Sequence, residues 1–347
     1  MNFAVAVDLG GTNLRIAAVS EAGELWEKIT TGTKVALGRD VVIAEMTAAI
    51  EQLAAKFSAS GQLLGAGIGV PGIIDQRSGL LRRSPNLPGW HDYPVRQEIE
   101  RRLGSTVALE NDANCAALGE AWLGAARHAE HAGMITLGTG VGGGIVQCGR
   151  LWRGLNGMAG EVGHITVDPD GPKCNCGNHG CVEQFASASA IVRQAREAIA
   201  AGGAPQLSAA AQDPAFDARS VDQLARQGDK PARAIFRKAG WALGVAVADL
   251  VNVLNLHMYV IGGGVADAWD AFAPAMFAEL QRRSFVYTAT APAEVAAAIA
   301  AGSPIPLELQ EAAWNTIVTR AKLGGDAGLY GAARLPMIER LQITGGP

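Results

Sequence analysis

The sequence predicts an α/β fold made of two related halves, and three observations point there. A strand, a Gly/Thr turn and a second strand occur twice, as FAVAVDLG and NLRIAAVS over 3–20 and as MITLGTGVGGGIVQCGRL over 134–151. A duplicated α/β domain would show this return, although strand–glycine–strand is also a common pattern in its own right. Extended and helical patterns alternate between and after these hairpins, as in α/β proteins. The 347 residues also exceed the size at which one hydrophobic core usually stops growing, so two domains are expected.

The first hairpin is read from two apolar runs around GGT. Over 40–57 the spacing predicts a helix, with Ile43, Met46, Ile50, Leu53 and Phe57 on one face. LLGAGIGVPG (63–72) reads as a buried strand closed by Pro71 and Gly72. A short amphipathic helix over 93–103, a strand over 105–112 and a helix over 113–123 complete the first half. Beyond the second hairpin the pattern is mostly helical, with one further buried strand over 256–264 that ends in Gly262, Gly263 and Gly264. The stretches 202–220 and 285–306 are rich in Ala, Pro and Ser and read as loops or insertions. The expected division is a first lobe over 1–125, joined by a last helix over about 326–347, and a second lobe over 126–325.

An apolar share of 49%, a charged share of 18% and a net charge of -4 leave no basic footprint, which argues against nucleic acid and anionic membrane as partners. Asp8 interrupts the first apolar run, and no uncharged run reaches the ~18 residues of a membrane span. The expected location is the cytoplasm. In that reducing compartment the crowding of Cys174, Cys176 and Cys181 points to a metal before a disulfide, while Cys115 and Cys148 read as core residues.

Two loops are candidates for cradling phosphate, DLGGTN (8–13) and LGTGVGGG (137–144), because glycine turns bare their backbone N–H groups. The second contains G-x-G-x-x-G at Gly138, Gly140 and Gly143, but an extended pattern follows it where a dinucleotide fingerprint needs a helix. No Gly-Lys-Ser or Gly-Lys-Thr occurs, so a Walker A loop is absent. Asp8 reads either as a carboxylate beside a phosphate-bound Mg²⁺, through water, or as an acceptor for N–H groups of its own turn. In Glu110-Asn111-Asp112-Ala113-Asn114, Asp112 reads either as a helix N-cap or as a general base, with Asn111 beside it for a polyhydroxy substrate. His164, Cys174, Cys176 and Cys181 match a structural Cys₃His zinc site over 164–181. His179 is the alternative fourth ligand, disfavoured because it lies inside the tight loop between two others.

DLGGTNLR, SPNLPGW (84–90), ENDAN, LGTGVGGG, AGEVGH (159–164), CNCGNHGC with Glu183, and VIGGG (260–264) occur in one order, and together they resemble the ROK family of sugar kinases. The resemblance runs from Phe3 to about Gly331. It implies a two-lobed actin/hexokinase-like (ribonuclease H-like) fold of duplicated domains with a cleft between them. It also implies ATP-dependent phosphorylation of a hexose, most closely glucose to glucose 6-phosphate, with N-acetylmannosamine or N-acetylglucosamine kinase as the alternative.

By this resemblance Asp8, Gly10, Gly11 and Thr12 form the first phosphate loop, and Gly138, Thr139 and Gly140 the second. Gly262, Gly263 and Gly264 lie on the adenosine side, and Asp112 is the catalytic base. Asn86, Asn111, Glu161, His164 and Glu183 hold sugar hydroxyls, with His164 serving the zinc as well. Arg15, Trp90 and Trp152 receive no role. ATP, Mg²⁺ and a structural Zn²⁺ are the implied ligands, and a homodimer the expected assembly. The family also contains sugar-responsive repressors. That reading is set aside because the chain opens on the first strand with no DNA-binding helices ahead of it and is acidic, and a sensor without activity because the acid and both loops are present.

Overall fold

The computed structural model describes residues 1–84, 86–290, 294 and 315–344, with side chains to 339 in the last helix. In chain order, β1 (Asn2–Leu9), β2 (Asn13–Ser20) and β3 (Leu25–Gly32) are followed by α1 (Arg39–Phe57), β4 (Gln62–Val70), β5 (Ile73–Asp75) and β6 (Leu80–Arg83). Next come α2 (Val95–Leu103), β7 (Val107–Asn111), α3 (Asp112–Trp122), β8 (His131–Leu137), β9 (Val141–Gln147) and β10 (Arg150–Leu151). The helices α4 (Glu183–Ala186), α5 (Ala188–Ala200), α6 (Pro205–Ala210), α7 (Ala218–Arg226) and α8 (Lys230–Leu254) lead to β11 (Met258–Gly262). The chain ends with α9 (Trp269–Arg283), α10 (Phe285–Thr290), β12 (Ile317–Arg320) and α11 (Ala327–Thr344).

Two five-stranded sheets have the orders β3-β2-β1-β4-β7 and β10-β9-β8-β11-β12. Counted from the first strand of each, both read 3-2-1-4-5. The central strand pairs in parallel with the fourth, as β1 with β4 and β8 with β11, and the fourth pairs in parallel with the fifth. One topology built twice is what the repeated hairpins predict. By contacts the chain divides into a first unit of 1–130, 144–160 and 322–347 and a second of 131–143 and 161–321. Residues 144–160 thus fall in the first unit, where the sequence places them in the second lobe.

In the first unit the two-residue period of β1 sorts side chains by size. Phe3, Val5, Val7 and Leu9 enter one buried cluster with Val42, Ile43, Met46, Ile50 and Leu53 of α1. Ala4 and Ala6 face the other way, into a cluster with Cys115 and Leu118 of α3 and Leu329, Ala332 and Ala333 of α11. Small residues let α11 come close to the sheet. A Cβ on Gly67 would fall 1.8 Å from the Ala332 carbonyl oxygen, and one on Gly331 would fall 1.6 Å from that of Cys115. In the second unit α8 is capped by Asp229 and ends on Asn255 in the left-handed region. Its Gly240 and Gly244 admit α9, because Cβ atoms there would lie 2.1 and 2.4 Å from the Phe272 and Met276 carbonyls.

Several expectations need correction, among them Cys148, which is exposed and not a core residue, whereas Cys115 is buried. The stretch 202–220 contains α6 and the start of α7, which Pro205 and the Asp217 capping box initiate. Of 285–306, residues 285–290 form α10 and most of the remainder lies outside the described residues. The second sheet gains β12, whose IVTR run is too short for a periodic signal, and β3 is a mostly polar, exposed strand that pattern alone does not mark. Among the described residues no helix is long and apolar enough to cross a membrane.

Candidate functional site

At the β1–β2 turn Asp8 stands opposite Arg15 in the strand register. Arg15 Nη1 donates to Asp8 Oδ2 at 3.1 Å and to the Gly325 carbonyl at 3.1 Å. Asp8 is therefore held by a cross-strand arginine and not by amides of its own turn, so the turn-acceptor reading fails. Burial raises the Asp8 carboxyl above its ordinary range, and Arg15 offsets part of that. Arg15 is thus a residue whose part the sequence reading misses. Its signal was present, since residues seven apart across a two-residue hairpin turn come face to face.

The glycines of this turn have an intrachain cause as well. A Cβ on Gly10 would lie 3.1 Å from the Asn13 carbonyl, and one on Gly11 would lie 3.2 Å from Cβ and O of Asn86. The Asn86 segment rests on Gly11, so room for a ligand is not their only reason. That segment is anchored by fully buried Trp90, which meets Tyr93 edge-on at 5.7 Å, and by Arg39 donating to the Gly89 carbonyl at 3.1 Å. Asn86 itself is exposed. Among the described residues the amides of Gly11 and Thr12 find no acceptor.

The β7–α3 junction divides its labour between neighbours. Asn111 has extended backbone and caps the helix, its Oδ1 accepting from the Ala113 and Asn114 amides at 2.9 and 3.1 Å. The N-cap, the competing reading for Asp112, is Asn111, although Asp112 Oδ1 also accepts from the Ala113 amide at 2.9 Å. Asn111 Nδ2 also donates to the Gly72 carbonyl at 3.0 Å. Asp112 is the first helical residue, half-buried, where the helix dipole favours a negative charge.

Behind it lies Glu110, with 0% exposure. Its Oε1 accepts from the Asn111 amide at 2.9 Å, Asn114 Nδ2 at 3.0 Å and Gln76 Nε2 at 3.1 Å, and its Oε2 from Arg153 Nε at 2.6 Å. An acid inside the apolar VALE run announces a partner, but nothing local names one 43 residues away. Glu120, also 0% exposed, accepts from the amides of Ala125, Lys322 and Leu323 at 2.7, 3.1 and 2.7 Å. It ties the end of α3 to the segment that leads into α11.

In the second unit the β8–β9 turn runs straight into a strand, which removes the dinucleotide reading. Gly140 is bare for Glu183, whose Oε2 would lie 2.4 Å from a Cβ there and accepts from the Val141 amide at 3.0 Å. Gly138 differs. No atom lies within 4 Å of a Cβ built on it and its φ is not positive, so nothing described in the chain requires glycine there. The amides of Thr139 and Gly140 find no acceptor among the described residues. At the end of β11, Gly262 and Gly263 are crowded by Met134 and Leu137, whereas Gly264 is open like Gly138.

The donor atoms of His164, Cys174, Cys176 and Cys181 lie within 4.8 Å of one another. His164 Nδ1 is 3.7 Å from Cys174 Sγ, and Cys176 Sγ is 3.7 Å from Cys181 Sγ. Zinc–sulfur bonds of about 2.3 Å at tetrahedral angles would put sulfurs roughly 3.8 Å apart, so the donor set fits zinc. His179 takes no part and bridges to Lys173. Burial pushes the Cys181 thiol up to about 12, a thiol that only a cation would ionise at neutral pH, while the Asn178 amide pulls Cys176 down. His164 turns its other nitrogen toward Glu161, with Nε2 3.9 Å from Oε2. Glu183 Oε1 lies 4.0 Å from Cys174 Sγ, so this carboxylate reaches both the cysteine loop and the glycine turn.

The chain is 41% identical over 267 residues to a glucokinase of Thermotoga maritima, covering 77% of this chain and 83% of that one. The fold is that of a ROK family glucokinase of Streptomyces griseus solved with glucose and AMPPNP, at TM-score 0.72 and 31% identity over 96% of this chain and 98% of that one. A xylose repressor of Caldicellulosiruptor bescii is 30% identical over 81% of this chain and 71% of its own length. The ROK family model matches residues 4–304, and with these relatives it shows that the chain belongs to the ROK family.

Proposed function

We propose that the chain transfers the γ-phosphoryl group of ATP to a hexose hydroxyl, converting glucose to glucose 6-phosphate. The observation that carries this reading is a hairpin turn in each unit, at Gly11–Thr12 and at Thr139–Gly140, whose amides are spent on nothing described in the chain. Phosphoryl transfer needs little covalent chemistry from the protein, so positioned donors are its main requirement. The glucokinase relative and the structure with glucose and AMPPNP support the choice of both substrates.

In this mechanism the amides of the two turns bind phosphate oxygens, and open Gly138 and Gly264 let nucleotide approach the backbone. Asp8 would hold a hydrated Mg²⁺, which would supply positive charge to offset that of the transferring group. Asp112 accepts the proton of the attacking hydroxyl. Asn86, Asn111, Glu161, His164 and Glu183 bind the sugar's other hydroxyls. A zinc on His164, Cys174, Cys176 and Cys181 would order the loop and fix the His164 ring, so that Nε2 stays available.

Replacing Asp112 tests the assignment. Asp112→Asn lowers kcat by roughly 10²–10⁴-fold, the usual worth of general-base catalysis, while the glucose Kd stays within about threefold. Turnover within about tenfold of wild type removes Asp112 from this role.

A further inference from the structure

We propose that the hydroxyls of Thr33 and Ser189 are positioning groups that turn the amides of the two glycine loops toward the phosphates of ATP. This rests on the kinase reading and deepens it. Thr33 lies just past β3, and its Oγ1 donates to the Gly10 carbonyl at 2.7 Å while its own N–H donates to the Thr12 carbonyl at 2.8 Å. Ser189 is the second residue of α5, and its Oγ donates to the Thr139 carbonyl at 2.8 Å. The Ala188 amide beside it donates to the Gly138 carbonyl at 2.8 Å.

The consequence follows from the geometry of one peptide unit. In a trans, planar peptide the C=O of one residue and the N–H of the next point in opposite directions. Pulling the Gly10 carbonyl back toward Thr33 therefore aims the Gly11 N–H away from Thr33. Pulling back the Gly138 and Thr139 carbonyls aims the Thr139 and Gly140 N–H groups outward in the same way. These three amides, with that of Thr12, are the donors without an acceptor among the described residues. The pins matter because glycine backbone reorients at little steric cost, so a loop held only at its ends would spend part of its time with carbonyls facing the anion. In each unit a hydroxyl from outside the turn supplies what the glycines give up.

The experiment compares Thr33→Val and Ser189→Ala with wild type in steady-state phosphorylation of glucose by ATP, alongside an ATP-binding titration without sugar. Each variant raises the KM and Kd for ATP about tenfold, as expected for losing one aligned hydrogen bond to a charged group, and leaves the glucose KM within twofold. Thr33→Ser and Ser189→Thr, which keep the hydroxyl, restore ATP affinity. An unchanged ATP KM in both variants of an active enzyme overturns the inference. So does a parallel rise of both KM values with a lowered Tm, since that marks a merely structural bond. A wild-type chain that neither binds ATP nor phosphorylates any hexose defeats the kinase reading itself, and the inference falls with it.

Discussion

The β7–α3 junction and the loop from His164 to Cys181 both carry residues of the proposed site, yet different forces order them. The junction is self-supporting. Glu110 collects four hydrogen bonds, Asn111 caps the helix, and Ala113 to Glu120 are buried. The loop is short of apolar surface, with Gly, Asn, Lys and Pro around its cysteines. What holds it is backbone hydrogen bonding, such as Cys174 N to Asn178 O at 2.7 Å, together with four donor atoms placed for one ion. A base needs a fixed position in every state of the chain, and packing supplies it. A loop with little to bury can be ordered by a ligand instead.

Metal removal separates the two regions most sharply. Dialysis against a strong chelator raises the glucose KM by about 10–100-fold, the usual range for disturbing a metal site's surroundings. Amide exchange then speeds up over 166–180 and not over 107–118. Equal exchange in both segments, or none in either, breaks the contrast.

Arg153→Ala acts on the other side of the comparison. It leaves Glu110 buried with three neutral donors and no counter-charge. Because the Arg153 side chain is 38% exposed, the cost in urea unfolding is about 2 kcal/mol, below that of a fully buried pair. A change under about 0.5 kcal/mol would show that the pair contributes little to the junction.

A pair of alanine variants sharpens the same distinction between packing and ligand. Gly11→Ala must displace the Asn86 backbone and destabilises the first unit by about 1 kcal/mol, whereas Gly138→Ala meets open space, leaves Tm unchanged and weakens ATP binding. Equal effects of the two on Tm would contradict the separate causes assigned to these glycines.

The smallest effect is electrostatic. Arg101 and Arg102 hold the Glu98 carboxyl at about 2, below its ordinary 4.5. Its contribution is therefore complete above pH 4.5 and is lost as pH falls through about 2. Glu98→Gln lowers Tm slightly at pH 7 and by clearly less at pH 2, and a gap that widens in acid would reverse the sign.

Much of this was legible in the sequence, because the informative signals are local. The two hairpins, α1 and the spacing of the cysteines each arise from residues close together in the chain. The structure's additions come from distant partners. Arg153 reaches Glu110 across 43 residues, Lys322 reaches Glu120 across 202, and Asn86 rests on Gly11. No periodicity encodes those meetings. The phosphate-loop reading of Gly11 misses a second cause for the same reason, since Asn86, which packs on it, lies in another part of the sequence.

The most direct measurement is phosphate transfer itself, followed by ³¹P NMR with ATP, Mg²⁺ and a panel of glucose, mannose, N-acetylglucosamine and N-acetylmannosamine. Glucose 6-phosphate should form with the highest kcat/KM of the panel and in equal amount to ADP. Preference for an N-acetylhexosamine would move the substrate assignment. Tight sugar binding with no phosphorylated product from any of the four would contradict the account and leave a sugar sensor in its place.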